Sequence, residues 1–270
     1  MCCARRPEMR AQSSAAVRSR QTGMTLIELM IAMTLSLFLI LGVTQMFLDG
    51  QNNARYFNSQ AQNQDNARYA QQILEARLAK AGYRRLPSSR MAASFPALNS
   101  SGCVFASGQA LVRVDASTLC LRYQPRDSVD VDCTGASLSA RPGLSKPYSS
   151  YIPSNNVVEK LTLSGAKLLC NGTTLLDNVV AVRFDYGVDA SSDEYNRKVA
   201  QYVDTPASGQ TVRSLRYSLL LASSANVSGG LAATTCQRWQ DLYGSKACTD
   251  GDGPVRRIVS GSSMLRNLMP

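Results

Sequence analysis

The sequence predicts an α+β protein in which one long N-terminal helix packs against a mostly antiparallel β-sheet head. Three observations predict it. Residues 29–48 (LMIAMTLSLFLILGVTQMFL) are twenty in a row without a charge. Behind them, Ala67, Ala70, Leu74, Leu78 and Ala81 fall at helical spacing in a stretch free of proline. Beyond residue 108, short runs of β-forming residues alternate with turn residues.

Composition narrows the chemistry before any element is placed. The chain has 270 residues, 44% of them hydrophobic and 18% charged, enough to bury a sizeable core. It contains no histidine, which excludes Ser-His-Asp and Cys-His hydrolysis and His-based zinc sites. G-x-x-x-x-G-K-[ST], G-x-G-x-x-G and G-x-S-x-G are absent too, so the expectation is a binding or structural protein with no catalytic residues and no cofactor. The net charge is +10, and residues 1–23 carry +4 of it, five arginines against Glu8.

Twenty apolar residues are the length needed to cross a bilayer as a helix. Eleven of them are Leu, Ile, Phe or Val. At roughly −0.3 to −0.6 kcal/mol each near the bilayer centre, insertion is favourable by several kcal/mol. Thr34, Ser36, Thr44 and Gln45 are expected to reduce that gain. Arginines precede the run and none follows until Arg55, which keeps the N-terminus cytoplasmic and exports the rest. The apolar run is therefore expected to anchor the chain in a single pass, with its N-terminus inside and the bulk exported. A secretory signal would place a small-residue cleavage site after the run; Met46-Phe47-Leu48-Asp49 does not provide one. Instead the unusual feature lies in front. Thr22-Gly23-Met24-Thr25-Leu26-Ile27-Glu28 puts a carboxylate at the mouth of an apolar helix, where it would cost roughly 2.5–3.5 kcal/mol if drawn to mid-bilayer.

G-M-T-L-I-E followed by an unbroken apolar helix resembles the processing signal of type IV pilins and type II secretion pseudopilins. The resemblance implies that a prepilin peptidase cuts between Gly23 and Met24, N-methylates Met24 and leaves the apolar helix in place. Met24 departs from the phenylalanine common at that position. It also implies a role for Glu28, which would neutralise the N-terminal amine of an adjacent subunit during filament assembly. Two charges that are costly in an apolar core become tolerable as a pair. Residues 1–23 are then a leader, long for this family; Met9 is an alternative start, and Cys2 and Cys3 leave with the leader either way. Residues 24–48 form the membrane or filament-core half of the helix and residues 49–84 its amphipathic half. Gly82 is the expected stop, with Pro87 soon after. Gly42 and Gly50 are the soft points.

Residues 85–108 are rich in Pro, Ser and Gly and read as an exposed connector within the head, residues 85–270. Strands are expected at 110–115, 118–124, 129–133, 157–163, 167–170, 179–186, 214–221 and 257–259. In this head, Tyr186-Gly187-Val188-Asp189, Leu265-Arg266-Asn267 and Ala81-Gly82-Tyr83 resemble segments of PilW-type minor pilins. That likeness implies a pilin-like fold and a priming or tip complex that starts type IV pilus assembly, supporting twitching motility and adhesion. Its partners would be prepilin peptidase, other minor pilins, the major pilin and a tip adhesin. A J-type pseudopilin of type II secretion is the alternative, followed by a membrane-anchored periplasmic DNA-binding protein or enzyme. No aromatic-interleaved basic stripe is present, so no specific nucleic-acid partner is expected.

Six cysteines follow the leader, and an exported head meets an oxidising compartment. Cys236 and Cys248, bracketing a loop with Trp239 and Tyr243, are the pair expected to bond; the remaining connectivity stays open. Asp189, Asp193 and Glu194, or Asp250 and Asp252, supply carboxylates for a Ca²⁺ loop, but no EF-hand spacing accompanies them and a solvated loop is the preferred reading. Ser164-Gly165-Ala166-Lys167 matches S-x-x-K without its partner motifs and fits a hairpin turn.

Overall fold

A computed structural model describes residues 23–141, 143–144, 146, 148, 156–189, 198–227, 234–251 and 253–269. The chain divides into two compact units, Met1–Gly50 and Gln51–Pro270. One helix, α1 (Leu26–Lys80), contributes to both. It is continuous through Gly42 and Gly50, so neither glycine interrupts it.

In the first unit every described residue is exposed. The hydroxyls that the sequence counts against membrane insertion are satisfied internally. Thr34 Oγ1 donates to Ile31 O at 2.9 Å, Ser36 Oγ to Met33 O at 2.9 Å and Thr44 Oγ1 to Ile40 O at 2.7 Å. Each therefore enters an apolar medium already paired, which lowers its cost below the free-hydroxyl value.

In the second unit, α1 buries Ser59, Asn63, Ala67, Ala70, Leu74 and Leu78, a stripe spaced by three or four residues along one face. That face meets the common core of two antiparallel sheets. The first has the order β3-β4-β5-β6-β7: β3 (Leu111–Arg113), β4 (Thr118–Tyr123), β5 (Val157–Ser164), β6 (Lys167–Cys170) and β7 (Thr173–Asp177). The second has the order β11-β10-β8-β9: β8 (Val179–Val188), β9 (Gln201–Val203), β10 (Val212–Val227) and β11 (Gly253–Met264). Alternation supplies the core side chains: Leu119, Leu121 and Tyr123 from β4, Val182, Phe184 and Tyr186 from β8, Leu215, Tyr217 and Leu219 from β10. Every named strand pair among the described residues is antiparallel.

Residues 85–108 are not an exposed connector. They hold α2 (Met91–Ser94) and a small hairpin, β1 (Leu98–Ser100) with β2 (Cys103–Phe105). All six residues of β4 are buried, so its outward face needs a cover, and this segment provides it. Cys103, Phe105 and Cys120 form a second apolar cluster there, closed by the Cys103–Cys120 disulfide. Arg122, fully buried, lies 5.4 Å from the centroid of the Phe95 ring and 4.6 Å from that of Phe105. It donates to the carbonyls of Phe95, Pro96, Ala106 and Gln109. Burial lowers its guanidinium to about 10, so it remains charged at neutral pH.

Residues 129–133 form no strand. Asp127 accepts from the Val129 N–H at 3.0 Å, and Asp132 accepts from Thr134 at 2.8 Å and Ala136 at 3.0 Å. These local bonds hold the backbone in turns, leaving one isolated bridge, Val131 with Ser137. The segment bracketed by Cys236 and Cys248 is helical rather than looped: α3 (Thr235–Tyr243) ends at Gly244, φ +68°.

Candidate processing and assembly segment

Gly23, Met24 and Thr25 precede the first turn of α1, and Glu28 sits within that turn. The Glu28 N–H donates to Thr25 O at 3.1 Å and lies 3.4 Å from Thr25 Oγ1. Thr25 thus caps the helix, with Glu28 three residues on, the T-x-x-E order of a capping box. Sequence reasoning missed this, although the spacing was visible. The cap gives Glu28 a local role as a carboxylate at the positive end of the helix dipole, alongside any role between subunits. Gly23, Met24 and Glu28 are all exposed, with Met24 at 68%, so the Gly23–Met24 bond expected to be cut and the carboxylate are open to other molecules. α1 also contains a span long and apolar enough to cross a membrane, none of it buried.

At the other end of α1, the tripeptides at residues 81–83 and 265–267 come together. Ala81 and Leu265 are fully buried in the same core. Asn267 Nδ2 donates to Ala79 O at 2.8 Å and to Ala81 O at 3.1 Å, closing carbonyls that the helix terminus leaves open. Gly82 takes φ +72° and carries Leu268 against its α-carbon. The C-terminal strand exit is therefore clasped to the helix stop.

Beneath the same turns lies a buried carboxylate. Glu159 on β5 is fully buried, accepts from Tyr123 Oη at 2.8 Å and faces Arg77 at 3.5 Å. Burial pushes its carboxyl above the ordinary range, against the pull of the Tyr123 hydroxyl and of Arg77 and Lys80. The Arg77 pair makes no hydrogen bond, which is why desolvation prevails there. Lys80 instead pairs with Asp130 at 2.8 Å. Burial opposes ionisation of Asp130, but the Lys80 ammonium and the N–H groups of Arg126 and Val131 hold its carboxyl below the usual range.

The remaining candidates have structural partners. Cys236 and Cys248 are bonded, as are Cys103 with Cys120 and Cys133 with Cys170. Glu159 lies within 4.8 Å of both sulfurs of Cys133 and Cys170, but in the disulfide these are not thiolate ligands. Asp250 accepts from the N–H groups of Cys236 at 2.8 Å and Gln237 at 2.9 Å, capping α3 across the disulfide. Asp189 is buried at the end of β8, its N–H donating to Thr211 O; Asp193, Glu194 and Asp252 lie outside the described residues. Ser164 and Lys167 face each other across the β5–β6 hairpin, with Gly165 at φ +61° and Lys167 paired to Asp177 at 3.3 Å.

Residues 18–44, which include Gly23, Met24 and Glu28, match the family described as the prokaryotic N-terminal methylation motif. No curated protein matches the chain. Among solved structures it is similar to a type IV-like pilin from Thermus thermophilus, with 16% identity and a TM-score of 0.41 over 77% of this chain and 100% of the other. The chain carries an N-terminal methylation motif ahead of an α+β body.

Proposed function

We propose that the chain is the precursor of a PilW-type minor pilin, cut between Gly23 and Met24 by prepilin peptidase and N-methylated on Met24. The apolar half of α1 then stays in the inner membrane with the head in the periplasm, until the subunit joins a priming complex with other minor pilins at the tip of a type IV pilus. The observation that carries the reading is the methylation motif at residues 18–44, whose glycine, following methionine and carboxylate stand at the exposed start of an apolar helix. The role is structural: Glu28 meets the amine of a neighbouring subunit as each one enters the filament core, where an unpaired charge is costly. The major pilin and a tip adhesin are the further partners.

Deleting the gene is expected to remove surface pili and leave type II secretion intact. Re-expression of Glu28→Ala should give a processed protein that fails to restore piliation. Intact pili with lost secretion would assign the chain to the pseudopilins instead, and full rescue by Glu28→Ala would remove the proposed role of the carboxylate.

A further inference from the structure

A cleft of about 590 Å³ opens in the second unit where the turn after α1, α2, the β2–β3 loop, the β9–β10 turn and the C-terminal segment converge. Its lining includes Arg84, Arg90 and Arg213 and, among the described residues, no Asp or Glu. Arg84 donates to Ser89 O and Arg213 to Leu268 O, bonds that tie both guanidinium groups to the cleft walls. Arg90, just ahead of α2, is exposed. Two glutamines add to the bias. Gln109 and Gln210 each spend the carboxamide oxygen on their own loop, accepting from Ala106 N at 3.0 Å and Ala207 N at 2.9 Å. With the oxygens turned to their own loops, the NH₂ groups add hydrogen-bond donors to the lining. The cleft is thus rich in cations and donors, and a complementary ligand must be anionic and rich in acceptors.

We propose that this cleft binds an acidic peptide segment of a partner protein, its carboxylates engaged by Arg84 and Arg90. Guanidinium forks match carboxylates in geometry as well as charge. The volume lies in the range of sites that enclose a ligand of many atoms, far more than a single inorganic anion fills. The choice of a protein segment rests on the assembly reading above, in which this surface works among other subunits.

The test is direct binding of a fluorescein-labelled hexaglutamate peptide to the full chain in detergent micelles at low salt. Saturable binding is expected, weakened about tenfold by Arg90→Glu, the equivalent of one charge-assisted contact, and less by Arg90→Gln. Lys246→Gln, at an exposed site outside the cleft lining, should change affinity less than about twofold. Arg84→Gln provides a second probe, with its unfolding midpoint measured alongside. Equal affinity for wild type and Arg90→Glu would overturn the proposal, as would displacement of the peptide by an equal concentration of inorganic phosphate. Because the measurement needs no pilus, failure here leaves the assembly reading standing. Binding by a chain that never enters pili would sink only that reading.

Discussion

Gly82→Ala tests the clasp between the end of α1 and the C-terminal segment. At φ +72° an alanine enters the left-handed region, which costs roughly 1–2 kcal/mol. Its Cβ would stand 2.2 Å from Leu268 Cδ2, 3.1 Å from Leu268 Cγ and 3.4 Å from Ala110 Cβ. Leu268 packs against the core and lies just beyond Asn267, which is bonded to Ala79 and Ala81, so it cannot retreat without loosening those bonds. Overpacking of this kind costs typically about 1–3 kcal/mol. The entropy lost from the unfolded chain returns about 0.4–1 kcal/mol. The net expectation is a destabilisation of about 3 kcal/mol, between roughly 1 and 4.6 on these ranges, read from urea unfolding of the full chain in micelles by the fluorescence of its single tryptophan, Trp239. Gly165→Ala is the control, with φ +61° and nothing within 4 Å of the added Cβ. It isolates the backbone cost at about 1 kcal/mol. If Gly82→Ala costs no more than Gly165→Ala, Leu268 does not hold the helix stop and the reasoning fails.

Glu159→Gln should change the pH dependence of stability. Since the folded carboxyl titrates above its unfolded value, Glu159 stabilises fully below the unfolded pKa, and that contribution is lost as pH rises through the folded one. Unfolding curves at pH 4 and pH 7 should therefore favour the glutamine variant more at pH 7; the reverse order would mean that the Arg77 pair dominates. Removing the disulfide by Cys236→Ala with Cys248→Ala opens a loop of sequence separation 12. That should cost about 3 kcal/mol by loop-closure entropy. It should also red-shift the emission of Trp239, which is 1% exposed on α3; unchanged emission and midpoint would deny the disulfide that role. Arg122→Leu strands four carbonyls behind β4 and should destabilise by about 3 kcal/mol or more, whereas a loss under 1 kcal/mol would show that water replaces the guanidinium there.

The parts of the fold that sequence could reach are those where one periodicity dominates. α1 is legible because twenty uncharged residues and then a three-four apolar spacing leave no competing pattern, and Gly82 marks its end. β8 is legible because buried Val182, Phe184 and Tyr186 alternate with half-buried Arg183 and Asp185. Residues 85–108 mislead because their composition reports turns, and turns are present, while the need to cover β4 depends on a strand distant in sequence. At residues 129–133, β-forming valines lose to Asp127 and Asp132, whose side chains bond the backbone locally. α3 carries a stop in Gly244, but its nine residues lie between two cysteines whose spacing suits a disulfide-closed loop equally well. In the processing segment, Glu28 stands out by its charge ahead of an apolar run, Gly23 and Met24 stand out only through the resemblance to prepilin signals, and Thr25 was open to recognition as a cap from its T-x-x-E spacing to Glu28. The pairings Cys103–Cys120 and Cys133–Cys170 join elements brought together only by tertiary packing.

The central claim is that the chain is trimmed at its N-terminus yet keeps its apolar helix. Intact-mass and N-terminal peptide analysis of the protein isolated from membranes and from sheared pili decides it. The expected product begins at Met24, carries one added methyl group on its amine and contains residues 29–48. A mature protein that retains residues 1–23, or one that lacks 29–48, would contradict the account.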